Sequence, residues 1–90
     1  MVGENNAIET LKQAGFDHVY VWHAGPFEED REHSHPFDVH LLVLEGEIKI
    51  EVGAKSTLLK PTDQLDIPRD TLHSGVAGPE GCKYIVAEKK

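Results

Sequence analysis

The segment DVHLLVLEGEIKIEV, residues 38–52, sets the tightest limit on what this chain can fold into. Its second half alternates without exception, with Ile48, Ile50 and Val52 on one side and Glu47, Lys49 and Glu51 on the other. A period of two belongs to an extended strand with one buried and one wet face, and a helix would mix those faces. The first half is apolar on both sides: Val39, Leu41 and Val43 on one, Leu42 and Leu44 on the other. In so small a chain a strand of that kind needs a cover on its second face, from a helix or from another subunit. A homodimer is therefore expected. Glu45-Gly46 marks a break between the halves.

The rest of the chain repeats the two-residue period in shorter pieces. HVYVWHA places Val19 and Val21 on one face and Tyr20 and Trp22 on the other, and STLLKPTDQLDIP and KYIVAEK read as further strands. GPFEEDRE reads as a polar loop, and GAK and GPEG as turns. One short helix is expected at about residues 6–14, with Asn6 as its cap, Glu9 as the return half of a capping box and Gly15 ending it. Ninety residues make a single domain, 1–90, with the helix packed on a barrel at about 18–88. The fold class is all-β, a sandwich or barrel.

Sixteen acidic against nine basic residues argue against nucleic acid, which needs clustered Lys and Arg, and against an anionic membrane surface. No apolar run approaches the ~20 residues of a membrane span. The single cysteine, Cys82, has no partner for an internal disulfide, and the first ten residues lack the basic and apolar regions of a signal peptide. A cytoplasmic location is expected.

Three of the six histidines fall within EHSHPFDVH. In an extended chain residues i and i+2 point the same way, so His33 and His35 can aim two imidazoles at one ion. His73, just past the tight turn at Arg69-Asp70, is the candidate third ligand. His40 is a candidate fourth. Regular parity turns it to the opposite face, and a bulge near Pro36-Phe37 would bring it back. His23 shares parity with Val19 and Val21 and has a weaker claim on the same interior. Asp38 reads as a turn residue or a support for a ligand.

These motifs resemble those of the cupins. That family carries H-x-H, three or four residues, Glu, six residues and Gly, and here His33, His35 and Gly46 match. Its second motif runs Gly, five residues, Pro, one residue, Gly, two residues, His, three residues, Asn. Pro68 and His73 keep that spacing, while Thr62, Asp70 and Ala77 replace the two glycines and the asparagine. The resemblance covers roughly Val19 to Ala87 and implies a double-stranded β-helix, or jelly-roll barrel. It also implies one metal inside the barrel, on His33, His35, His73 and the glutamate. Counted back from Gly46 the glutamate's place falls on Val39; counted four residues past His35 it falls on His40. The ion would be divalent: Zn, Ni, Fe, Mn or Cu.

Two functions follow from the resemblance: a metal-dependent enzyme of oxygenase or isomerase type acting on a small organic substrate, or a non-catalytic module that binds or senses a small molecule or metal. No acid or base falls at a readable inward position of the barrel. The readable inward positions are aliphatic, and Gln64 and Asp66 are expected to face outward.

Overall fold

A computed structural model describes residues 3–90. One helix, α1 (Glu4–Gln13), precedes six strands: β1 (His18–Ala24), β2 (Glu29–His33), β3 (Asp38–Val52), β4 (Lys55–Leu59), β5 (Gln64–Ile67) and β6 (His73–Lys89). All pairings are antiparallel. The two long strands, β3 and β6, pair along their whole length and carry the others on their flanks.

The register divides this one sheet into two layers. Residues 38–43 of β3 pair with 84–89 of β6, with β5 on the outer side of β3 and β1 on the outer side of β6. Residues 48–52 of β3 pair with 73–77 of β6, flanked by β4 and β2. Between them the register shifts at Val43/Glu45 and again at Gly46/Ile48. On β6 the segment GPEG fills the interval between Ala77 (opposite Ile48) and Cys82 (opposite Gly46). Bulges bend a strand and strengthen its twist, and here they fold the sheet across itself. The expected break at Glu45-Gly46 and the expected GPEG turn are thus one corner inside two continuous strands.

Gly46 makes that corner possible. Its φ is +75°, and a Cβ there would lie 2.2 Å from the carbonyl oxygen of Gly81. Only glycine accepts both the left-handed backbone and the close approach. The two other motif positions behave alike: Thr62 (φ +75°) and Asp70 (φ +60°) adopt left-handed backbones although neither is glycine.

The core lies between the layers. Val39, Leu41 and Val43 from one meet Ile48 and Ile50 from the other, with Leu59, Ile67, Ala77, Cys82, Tyr84 and Val86 completing the cluster. The inward assignment of β3 is as its alternation predicts. The second face of its first half is covered in part by α1. On that outer face Ile85 and Ala87 are wholly inaccessible, Ala7 of α1 is buried, and Glu4 pairs with Lys83 at 2.8 Å. Leu42 and Leu44 beside them stay half-buried.

Two local expectations change and a third is met. Asn6 lies inside α1, whose cap position is Gly3 with no side-chain hydrogen bond; the Asn6 carbonyl instead accepts from the Thr10 hydroxyl at 2.8 Å. At the other end the N–H groups of Gly15 and Phe16 donate to the carbonyls of Lys12 and Leu11, and Gly15 has φ +101°, the left-handed stop expected of it. Within GPFEEDRE, residues from Glu29 onward form β2, which pairs with β6. Nearly every residue of β2 is exposed, so it carries no apolar period by which a strand could be recognised.

Candidate metal centre

Antiparallel partners project to the same face of a sheet. His33 is the direct partner of His73 across β2 and β6, so the register alone sets two imidazoles side by side although forty positions separate them in sequence. Their ring centroids are 4.3 Å apart. His35 follows β2 two residues later, with its ring 4.7 Å from that of His33 and 5.3 Å from that of His73. One ligand nitrogen from each of the three lies within 4.8 Å of the others, and His73 is buried.

Local hydrogen bonds decide which nitrogens are available. Nδ1–H of His33 donates to the Arg31 carbonyl, and Nδ1–H of His73 donates to the Thr71 carbonyl at 3.0 Å. A carbonyl only accepts, so each Nδ1 must carry the proton, and in the neutral ring Nε2 keeps its lone pair for an ion. The same two-residue back-bond on neighbouring strands restrains both rings, whose planes lie at 59° to each other, as the outer hydrogen bonds of metal-bound histidines do. Among the described residues the His35 side chain makes no hydrogen bond; its ring stacks on Phe37 at 5.0 Å and 16°. His35 is therefore the ring with freedom to adjust. Burial, and then the neighbouring His33 and His73, hold it below the usual imidazole range, which favours the neutral, ligating form.

The turn before His73 is tied down from two sides. Asp38 accepts from the Arg69 backbone N–H at 2.9 Å and from its Nε at 3.4 Å, which holds the Asp38 carboxyl below the usual range. The Asp70 N–H donates to the His35 carbonyl at 2.7 Å. Asp38 is thus a support for the turn that carries His73.

His40 lies on the other face of β3. Its Nδ1 meets Asp66 at 2.5 Å and its Nε2 meets Gln64 at 2.6 Å, both on the paired strand β5. Both ring nitrogens are engaged and neither faces the three histidines. Gln64 and Asp66 face outward as expected. Val39, at the motif glutamate's place, is buried and lines the same cavity as the histidines.

That cavity has a volume of about 420 Å³ and runs between the two layers. Tyr20 and Trp22 line it, so the interior face of β1 is the even one and His23 lies on the outer face. The cavity also contains a carboxylate that the sequence reading missed. Glu88 of β6 is the register partner of Val39 and points into the cavity, its side chain 13% exposed. Its Oε2 accepts from the Tyr20 hydroxyl and its Oε1 from His18 Nδ1, each at 3.2 Å. Burial and the neighbouring Glu88 both push the Tyr20 hydroxyl up. The signal was present in KYIVAEK, where Tyr84, Val86 and Glu88 share one face and the charge continues an inward row.

No protein-family model matches the chain, and no curated protein matches it either. Solved structures do. A cupin superfamily protein from Desulfitobacterium hafniense is 25% identical with a TM-score of 0.70, over 82% of this chain and 70% of that one. An uncharacterized conserved protein with a double-stranded β-helix domain from Klebsiella pneumoniae is 28% identical (TM-score 0.71), over 79% of this chain and 64% of that one. A cupin-2 domain protein from Shewanella frigidimarina is 23% identical (TM-score 0.71), over 80% and 69%. The chain thus spans about two thirds of the length of these neighbours.

The chain has the cupin fold, a double-stranded β-helix. More narrowly, it is a small cupin barrel in which three histidines lie close enough together to hold a metal ion.

Proposed function

We propose that this chain binds one divalent transition metal through His33, His35 and His73, and that a small organic molecule occupies the cavity beside it. The observation that carries this reading is the matched pair of back-bonds that engages Nδ1 of His33 and of His73, so that in the neutral ring each Nε2 keeps its lone pair. A three-imidazole set suits Zn, Ni, Fe, Mn or Cu. An ion with three protein ligands keeps positions for water or substrate, and it supplies Lewis acidity to an oxygen placed there. The protein's own part is to orient the rings, to present apolar walls and to hold Glu88 in the cavity.

The sheltered Glu88 favours an enzyme, because it gives the cavity an acid–base group. The second reading, a non-catalytic module that binds or senses its ligand, is favoured by Val39, an apolar residue at the place of the motif glutamate. We also infer a homodimer from the half-buried Leu42 and Leu44 beside α1, and light scattering tests it. No helix among the described residues is long and apolar enough to cross a membrane. A reducing, cytoplasmic setting is inferred from the lone buried Cys82.

Elemental analysis of untagged protein is the test of the metal site. We expect close to one ion per chain, lost in both His33→Ala and His73→Ala and kept in His40→Ala. Metal that survives the first two substitutions would refute the site.

A further inference from the structure

The two walls of the cavity differ in chemistry, and the difference selects a ligand. The histidines stand on the layer formed by β2 and the first half of β6. Across from them β1 and the second half of β6 present Tyr20, Trp22, Tyr84 and Glu88, with Trp22 and Tyr84 as register partners. From these residues we propose that the cavity takes a small organic ligand carrying a protonated amine, anchored by Glu88 and flanked by Trp22 and Tyr84. The inference rests on the reading of this cavity as the ligand site and names the ligand's charge.

Glu88 is built to receive a cation. The Tyr20 hydroxyl and His18 Nδ1 each take one lone pair, one on each carboxylate oxygen, and fix its direction. A carboxylate offers about four acceptor positions, so each oxygen retains capacity for a further donor on the cavity side. Among the described residues no Lys or Arg lines the cavity, so no ammonium or guanidinium of the protein competes for that capacity. An anionic ligand would meet Glu88 with no compensating positive side chain on that wall, and desolvating two like charges together is unfavourable. An ammonium gains a charge-assisted hydrogen bond to Glu88, and indole and phenol faces attract cations. Because Glu88 is already oriented, little ordering cost is left for the binding step.

Trp22 is the only tryptophan in the chain and lines the cavity while 48% exposed, so a ligand that covers it should change its fluorescence. Three probes of similar shape separate charge from fit: phenethylamine, 2-phenylethanol and 3-phenylpropionate. Each is titrated into protein as purified and after chelator treatment, with metal content measured on the same samples. After chelator treatment we expect the amine to bind about tenfold or more tightly than the alcohol, the range of a charge-assisted hydrogen bond, and the acid to bind weakest. Glu88→Gln should abolish the amine's advantage over the alcohol. In the unaltered protein added salt should weaken only the amine, a measurement that does not depend on the variant folding. In the chelated protein, equal binding of amine and alcohol, tighter binding of the acid, or a preference that survives Glu88→Gln would overturn the proposal. If the alcohol or the acid still saturates the Trp22 signal, the cavity remains a ligand site and only the charge assignment falls. If none of the three alters it, both fail, while the metal content stands or falls on its own measurement.

Discussion

Thr62 offers a test of how the backbone was shaped. Its φ of +75° lies in the left-handed region, which costs an L-residue roughly 1–2 kcal/mol. A β-branched side chain is among the least suited to it. The conformation is held by pairing to β3: the Thr62 N–H donates to the Val43 carbonyl at 2.9 Å, and the Val43 N–H donates to the Asp63 carbonyl at 3.1 Å. The side chain itself is exposed, so removing it sacrifices no core packing. Thr62→Gly should recover the strain less the roughly 0.5–1 kcal/mol that glycine's extra freedom in the unfolded chain costs. The net gain is about 0.75 kcal/mol, or a rise in Tm of roughly 3–6 °C for a domain of this size. Thr62→Ala is the control, because it keeps a Cβ and hence the strain. The assay is calorimetry with a parallel urea titration at unchanged slope. If Ala stabilises as much as Gly, or if Gly destabilises, the strain argument is wrong.

Asp70→Gly should add a smaller gain, about 0.5 kcal/mol, because Asp tolerates the left-handed region better; a Thr62–Asp70 double glycine variant should sum the two within experimental error. Gly46→Ala should cost about 3 kcal/mol or more, combining backbone strain with a Cβ driven into Gly81, and a urea midpoint close to that of the unaltered protein would contradict the corner described above. The acid side follows from His35. Its ring is held below the ordinary imidazole value of about 6.5, so as pH falls the unfolded chain takes the proton first, and stability declines below about pH 6.5. Urea midpoints of metal-free protein at pH 7.5, 6.5 and 5.5 should fall in that order, less steeply in His35→Gln; a flat series would refute the sign.

Much of this architecture was legible because strand parity is a strict rule. It placed Val39, Leu41, Ile48 and Ile50 inside and Gln64, Asp66 and His40 outside, and the structure agrees. Motif spacing brought His73 to His33 before any register was known. Parity cannot, however, say which face of an isolated strand is the inner one. Both faces of β1 carry large apolar side chains, and only its pairing with β6 turns Tyr20 and Trp22, rather than His23, toward the cavity. β2 went unrecognised because an edge strand with exposed residues on both faces has no hydrophobic period. Glu88 was missed because a charge near the end of a strand is ordinarily wet, and only its pairing with Val39 reveals that it is sheltered.

The position of β6 bears on how the molecule reaches this state. One strand serves as partner to β1, β2 and β3, so no hairpin of neighbours in sequence can assemble the barrel piecemeal. The rate-limiting event must bring residues near 20, 30, 40 and 50 together with the last seventeen-residue strand. High separation of that kind slows folding. His33 and His73 meet only in that event, so an ion held between them would act as a clasp on its final product. It would slow the opening of the barrel far more than it speeds closure, and a chelator would shorten the native lifetime without changing the refolding rate.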